Sequence, residues 1–146
     1  MNTNTLSRTT RPHLSLNVSD VTRSVDFYTR LFGSEPTRLR HDYAKFEPES
    51  PALNFSMLQS ARPIARGGAL SHLGIEVPGP ADVAAARARL VAAGLEVRDE
   101  PDVTCCYAKQ AKLWVSDPDG NEWEVFTVLA ESAERDGPGA GTACCA

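Results

Sequence analysis

The chain has 146 residues, a length sufficient for one domain or two joined half-domains with a hydrophobic core. Its formal net charge is −4, and 23% of its residues are charged. It has no basic cluster suited to phosphate groups, which argues against a nucleic-acid partner, and no apolar run near the roughly 20 residues needed to span a membrane. The polar first eleven residues lack the apolar segment of a secretory signal, which predicts a cytoplasmic protein with reduced thiols.

The middle of the chain repeats itself. The segment HLSLNV at 13–18 returns as HLGIEV at 72–77. Both segments alternate apolar and polar residues, a pattern typical of a β-strand with one buried face. The apolar residues of each copy share one face, so the histidine that begins the copy, His13 or His72, lies on the opposite face.

A helix is predicted after each of these strands. The first helix has Ser19 or Asp20 as its cap and ends at Gly33, and the second has Pro80 near its start and Gly94 at its end. Three short strands are predicted after each helix, at 35–41, 43–48 and 52–59 in the first copy and at 96–100, 107–116 and 122–129 in the second.

This order of elements predicts an α+β fold built from two tandem βαβββ modules. The modules comprise residues 12–60 and 71–129, and a linker at 61–70 joins them. Residues 1–11 are expected to form a disordered N-terminal arm and residues 130–146 a flexible C-terminal tail, because both are rich in polar or small residues. We expect each module to bury one sheet face under its helix, so that the other faces form a curled, cup-like sheet around a metal site.

Polar residues at equivalent positions of the repeat suggest that metal site. The pseudo-symmetry of two modules would bring His13 and His72 together. The last predicted strand adds Glu122 and Glu124, which are two residues apart and therefore point to the same side. Two imidazoles and one carboxylate can bind a metal on one face of an octahedron, which leaves the other positions open for water, oxygen or substrate. The pattern alone does not choose between the two glutamates.

The paired modules, the histidines that lead the strands and the segment DPDGNEWEVF at 117–126 resemble the vicinal oxygen chelate superfamily, which includes glyoxalase I and extradiol dioxygenases. In that superfamily the carboxylate ligand follows the DPDGN turn, which implies His13, His72 and Glu124 as metal ligands. The segment TCCYAK at 104–109 is more specifically similar to the carbon–arsenic lyases, also known as cadmium-induced proteins. The resemblance implies an Fe(II)-dependent dioxygenase, with O2 as co-substrate, that cleaves the carbon–arsenic bond of trivalent organoarsenicals.

An adjacent cysteine pair ahead of Tyr-Ala marks that family, and Cys105 and Cys106 occupy this place. Trivalent arsenic is thiophilic, and methylarsonite has two exchangeable hydroxyls that two thiolates can replace. We therefore expect Cys105 and Cys106 to bind arsenic from a loop at 101–106 that hangs over the metal site. Tyr107 is expected to line the substrate pocket.

Other residues are secondary candidates. Cys144 and Cys145 form a second pair in the predicted tail, where they either pass arsenical inward or have no role. Laying PALNFSML over NEWEVFTV places Asn54 where Glu124 stands in the second module, and a neutral amide there would leave one metal corner open. Lys109 and Lys112 could hold an anion or orient a substrate, but a solvated strand face is the favoured interpretation.

Two other functions are compatible with the sequence. A non-catalytic protein that sequesters arsenicals or cadmium would need the cysteines but not the histidines or Glu124. Another metal-dependent enzyme of the superfamily, a glutathione lyase or transferase, would leave the cysteine pair without a role. The expected partner is a small organoarsenical. The chain is expected to be a monomer or a homodimer, and a monomer would suffice because both halves of the site lie in one chain.

Overall fold

The structure is a computed structural model that describes residues 10–105 and 107–134. The chain divides into two compact units between Ile64 and Ala65, and each unit contains one βαβββ module. The predicted α+β fold class with two tandem modules is confirmed. Neither helix in these ranges has the length and apolar character that crossing a lipid bilayer requires.

The first unit is a mixed four-stranded sheet with one helix. Asp20 caps the helix by accepting a hydrogen bond from the backbone N–H of Arg23, and Gly33 ends it with φ 67°, a conformation that favours glycine. The strand order is β1-β4-β3-β2, with β1 parallel to β4 and the other pairs antiparallel. The elements are β1 (His13–Val18), α1 (Val21–Phe32), β2 (Arg38–Arg40), β3 (Tyr43–Phe46) and β4 (Asn54–Gln59).

Aromatic side chains join α1 to one face of this sheet. Tyr28 and Phe32 on the helix contact Phe46 on β3 and Phe55 on β4, with ring centroids 4.6 to 6.5 Å apart. All four rings are buried, and their burial holds the helix on the sheet. Burial alternates along β1 as predicted, so His13 lies on the more exposed face.

The second unit repeats this plan with the strand order β5-β8-β7-β6, in which β5 is parallel to β8. The helix packs on β7 and β8. On the helix side, Leu113 of β7 faces Val125 of β8 and Val115 faces Trp123, and all four side chains are buried. The elements are β5 (Leu73–Glu76), α2 (Pro80–Ala92), β6 (Arg98–Cys105), β7 (Ala108–Ser116) and β8 (Glu122–Glu131).

Two strands of this unit are longer than the sequence predicts. β6 continues past residue 100 to Cys105, so the expected loop before the cysteine pair is instead a strand paired with β7. β8 includes Ala130 and Glu131, which the sequence assigns to the tail, because the long β7 offers both residues a partner. The predicted arm up to residue 9 and the predicted tail from residue 135 lie outside the described residues.

Candidate metal centre

The face of the second sheet that points away from α2 carries a row of functional side chains. Glu124 on β8 faces Gly74 on β5 and Trp114 on β7, so these three residues form one line across the sheet. Lys112 is two residues before Trp114 on β7 and points to the same side. The carboxylate of Glu124, the amine of Lys112 and the indole of Trp114 thus lie on one face of the sheet.

Glu124 is a buried carboxylate whose two oxygens have different neighbours. Its side chain is 8% exposed. Oε2 accepts a hydrogen bond from Nζ of Lys112 at 3.1 Å, and the lysine side chain is only 2% exposed. Oε1 lies 3.5 Å from Nε2 of His72. The lysine balances the buried charge, and one oxygen stays directed at the histidine.

His72 immediately precedes β5 and directs Nε2 at this carboxylate. Its Nδ1 lies 2.9 Å from Oγ of Ser71, within hydrogen-bond distance. The imidazole also packs edge-on against Trp114, with the ring centroids 5.2 Å apart. These contacts fix the ring through the nitrogen that does not face Glu124, as is usual for histidines that bind metals.

The distance between His72 and Glu124 suits a shared divalent ion. Two nitrogen or oxygen ligands at about 2.1 Å from one metal stand roughly 3.0 to 3.5 Å apart, and here the two atoms are 3.5 Å apart. Imidazole and carboxylate are also donor types that Fe(II) accepts. The pair therefore fits two positions of a metal site. Within residues 10–105 and 107–134, no three His, Cys, Asp or Glu side chains form a complete ligand cluster.

His13 belongs to the first unit. Its Nδ1 donates to the backbone carbonyl of Asn54 at 3.1 Å, since a carbonyl can only accept. The neutral ring then carries its lone pair on Nε2, the tautomer that a metal ligand needs. The side-chain Oδ1 of Asn54 is buried and has no hydrogen-bond partner in the described part of the chain. The inclusion of His13 in the ligand set stays a prediction.

The sheet registers correct the alignment of the two modules. Ser15 on β1 faces Ser56 on β4, as Gly74 on β5 faces Glu124 on β8. Ser15 and Gly74 are equivalent positions of the repeat, so Ser56 and not Asn54 is the counterpart of Glu124. The sequence alignment is wrong by two residues. A two-residue slip leaves every side chain on its original face, so the alternation of the sequence cannot reveal it.

Glu122, the other candidate carboxylate, has other partners. Its Oε1 accepts a hydrogen bond from Oγ of Ser116 at 2.8 Å, and its Oε2 forms an ion pair with Arg98. Near it lies a cavity of about 340 Å³, bounded by residues 65–68, Leu70, Ser71, His72 and the turn at 119–122. Both oxygens of Glu122 therefore have protein partners, whereas Oε1 of Glu124 is directed at His72, which favours Glu124 as the metal ligand. The cavity provides room for a small molecule beside His72.

Cys105 lies at the far end of the β6–β7 hairpin. It is the last residue of β6 and faces Ala108, the first residue of β7. Tyr107 is 58% exposed and has φ 63°, which is uncommon for a residue with a side chain, and its carbonyl accepts from the backbone N–H of Ser132. The other predicted thiols lie outside the described residues: Cys106, Cys144 and Cys145.

Sequence reasoning missed the role of Lys112. The prediction of a solvated position is wrong, because the side chain is buried against Glu124. The sequence does carry part of the signal, since Lys112 and Trp114 are two residues apart and share a face. Only the register of β7 with β8 shows that Glu124 lies on the same face beside them.

Two curated proteins are similar to most of this chain. The chain is 47% identical over 115 residues to the trivalent organoarsenical cleaving enzyme of Bacillus sp. (strain MD1), which covers 78% of this chain and 70% of that protein. It is 44% identical over 122 residues to the cadmium-induced protein CadI of Mycobacterium tuberculosis (strain ATCC 25618 / H37Rv). That alignment covers 84% of this chain and 78% of CadI.

Solved structures support the same fold. A glyoxalase/bleomycin resistance protein/dioxygenase from Nocardioides matches with a TM-score of 0.62 and 23% identity, covering 92% of this chain and 93% of that one. Residues 10–125 match the model of the Glyoxalase/Bleomycin resistance protein/Dioxygenase superfamily. Because this match spans most of the chain and agrees with the fold and the curated relatives, the chain belongs to the Glyoxalase/Bleomycin resistance protein/Dioxygenase superfamily.

Proposed function

We propose that this chain is an Fe(II)-dependent dioxygenase that cleaves the carbon–arsenic bond of trivalent organoarsenicals and releases arsenite. The observation that carries the proposal is the His72–Glu124 pair, with Nε2 and Oε1 3.5 Å apart, in a chain that also has adjacent Cys105 and Cys106. Relatives at 47% and 39% identity that are named trivalent organoarsenical cleaving enzymes support the substrate class.

Different residues of the chain are proposed to bind the metal and the substrate. His72 and Glu124 would hold Fe(II), with His13 as the predicted third ligand. Bound Fe(II) would supply the binding and activation of O2. The thiols of Cys105 and Cys106 replace the two hydroxyls of methylarsonite, each S–H proton leaves with a hydroxyl as water, and arsenic is held through two sulfur bonds. The carbon–arsenic bond stays intact in this complex and is held for reaction by proximity.

Atom balance defines the products for a methyl substrate. Methylarsonous acid, CH3As(OH)2, and one O2 together contain the atoms of arsenous acid, As(OH)3, and formaldehyde, HCHO. The methyl carbon loses four electrons, O2 accepts four electrons, and arsenic stays trivalent. The reaction therefore needs no external reductant and consumes one O2 for each arsenite.

The hairpin that carries Cys105 extends away from the carboxylate. Glu124 faces Trp114, whereas Cys105 faces Ala108, six residues away along β7. At about 3.3 Å per residue this is roughly 20 Å. The end of the hairpin therefore has to bend toward the polar face of the sheet to bring arsenic near the metal. Register shifts, at which β-strands bend, occur in this stretch between Glu100 and Val103 and between Lys109 and Gln110.

The test is to load the purified protein with Fe(II) without oxygen, add methylarsonite and then admit O2. Arsenite and formaldehyde are expected in equal amounts, with one O2 consumed for each, and neither product should form without Fe(II). Tight arsenical binding without arsenite, unchanged in His72→Ala, would instead indicate a protein that sequesters arsenicals through thiols. Turnover that requires glutathione rather than O2 would indicate a lyase or a transferase.

A further inference from the structure

We propose that Lys112 and Gly74 are positioning residues that make Glu124 a metal ligand through one oxygen only. Lys112 holds Oε2, and Gly74 leaves the space in which Oε1 can face His72. The inference rests on the proposed function, because it concerns the metal that His72 and Glu124 would share.

The side chain of Lys112 is buried against the sheet and is not a solvent-exposed surface group. Its side chain is 2% exposed, and Nζ lies 3.1 Å from Oε2 of Glu124 and 5.4 Å from the centre of the Trp114 ring. A buried amine of this kind requires a compensating charge, and the carboxylate provides it. The hydrogen bond occupies the oxygen of Glu124 that points away from His72.

Glu124 reaches this position because the residue opposite it on β5 is glycine. A Cβ on Gly74 would stand 2.8 Å from Cγ of Glu124 and 3.2 Å from Oε1. The carboxylate side chain therefore lies across the backbone of β5, in space that any other residue would fill. In the first module the equivalent positions hold Ser15 and Ser56, whose hydroxyl oxygens are 3.0 Å apart.

The number of oxygens that bind decides how many metal positions stay open. A carboxylate bound through both oxygens occupies two coordination positions, and one bound through a single oxygen occupies one. A site with two histidines and one such oxygen keeps three of six positions for oxygen and substrate. We therefore expect Lys112 to protect an open position that Glu124 would otherwise take.

The main test compares Lys112→Met and Lys112→Gln with Lys109→Met, which changes an exposed lysine on the same strand. The full chain is loaded with Co(II), whose visible absorption reports the ligands and geometry of the metal. Lys112→Met should show a changed spectrum, because a second carboxylate oxygen replaces water on the metal, whereas Lys112→Gln, which keeps an N–H donor, and Lys109→Met should resemble the wild type. Arsenite formation with Fe(II) should fall about 10- to 100-fold in Lys112→Met.

A second test addresses Gly74. The methyl group in Gly74→Ala should displace the Glu124 side chain and lower Co(II) affinity by about 10- to 100-fold. Gly79→Ala is the matched control, because the nearest atom to an added Cβ there is Oδ2 of Asp82 at 3.7 Å. Melting temperatures of both variants separate a local displacement from a loss of fold.

The outcomes distinguish this inference from the proposed function. Equal Co(II) affinity in the wild type and in Glu124→Gln would overturn the proposed function itself. If Glu124→Gln loses Co(II) but Lys112→Met keeps the wild-type spectrum, the inference alone is overturned. If Lys112→Met has no cooperative melting transition, Gly74→Ala decides, and unchanged Co(II) affinity in that variant would overturn the inference.

Discussion

The two modules share their element order and strand pairing but differ where the first strand meets the last. Ser15 and Ser56 meet there in the first module, and Gly74 and Glu124 meet there in the second. Because one scaffold accepts both pairs, the fold does not require a carboxylate at this position. The Gly74 and Glu124 positions are also coupled, because a side chain on residue 74 would collide with the glutamate.

The modules also differ in the length of the two strands that follow the helix. β2 and β3 have three and four residues, whereas β6 and β7 have eight and nine. The additional length of the second module carries Cys105 at its end. Both features that the proposed chemistry needs, the buried carboxylate and the cysteine-bearing hairpin, thus lie in the second module.

The largest effect is expected from breaking the Gly74–Glu124 row. Glu124→Ala removes a proposed ligand and should lower Fe(II) affinity by more than about 100-fold, beyond the usual effect of losing an outer partner of a ligand. Anaerobic Fe(II) titration measures it. Glu122→Ala and Ser56→Ala are the controls and should bind Fe(II) like the wild type. An equal loss in Glu122→Ala would mean that the wrong carboxylate has been assigned.

The role of the longer β6–β7 hairpin of the second module is tested by changing its cysteines. Cys105→Ser or Cys106→Ser converts a two-point attachment of arsenic to a one-point attachment, which should reduce arsenite formation by about 100-fold or more. Fe(II) binding should persist in both variants. A chain lacking residues 136–146 should keep most activity. If this truncated chain is inactive and Cys105→Ser is active, the C-terminal pair is the one that binds arsenic.

A smaller effect is expected from reproducing the Gly74–Glu124 pair at the equivalent positions of the first module. Ser56→Glu buries a carboxylate against Ser15 and should lower the free energy of unfolding by about 1–3 kcal/mol. Adding Ser15→Gly creates the space that Gly74 provides in the second module, and should recover about 1 kcal/mol of that loss. Urea denaturation of both variants measures the difference. A double variant that is no more stable than Ser56→Glu would show that the two rows are not equivalent.

The smallest effect concerns the first module alone. Hydrogen bonds from Thr37, then from Lys45 and Arg11, lower the pKa of Glu47 from 4.5 to about 2. A carboxyl with a lowered pKa in the folded state stabilises the fold above about pH 4.5 and loses this contribution as the pH falls toward 2. Because Glu47 is accessible to water, the contribution is small.

Thr37→Val removes the main cause of that shift. In urea denaturation it should be less stable than the wild type at pH 7, and this difference should shrink as the pH falls through the window from 4.5 to 2. A difference of the same size at both ends of the window would show that the ionised Glu47 gains nothing from Thr37.

The parts of the structure that depend on local sequence could be predicted. The alternation after His13 and His72 and the helix signals Asp20, Gly33 and Pro80 each act over a few residues, and the structure has the corresponding strands and helices. These signals also suffice to repeat the module, because both copies carry them.

Features of the structure that depend on the residue opposite in a neighbouring strand could not be predicted. Alternation fixes the face of a residue but not its partner, so Asn54 and Ser56 could not be told apart without the β1–β4 register. The burial of Lys112 depends on Glu124 in the neighbouring strand. The extension of β6 to Cys105 depends on pairing with β7 rather than on the propensity of its own residues.

The parallel pairing of first and last strands has a consequence for synthesis of the chain. Neither sheet can close before its last strand has left the ribosome, since β1 needs β4 and β5 needs β8. The pairings end at Gln59 and Phe126, and at about 5–20 residues per second the second sheet closes roughly 3 to 13 s after the first. Glu124 arrives on the strand that completes its own sheet. The carboxylate thus enters its place beside Gly74 and Lys112 as the second module folds, so metal loading at this position has to follow the synthesis of β8.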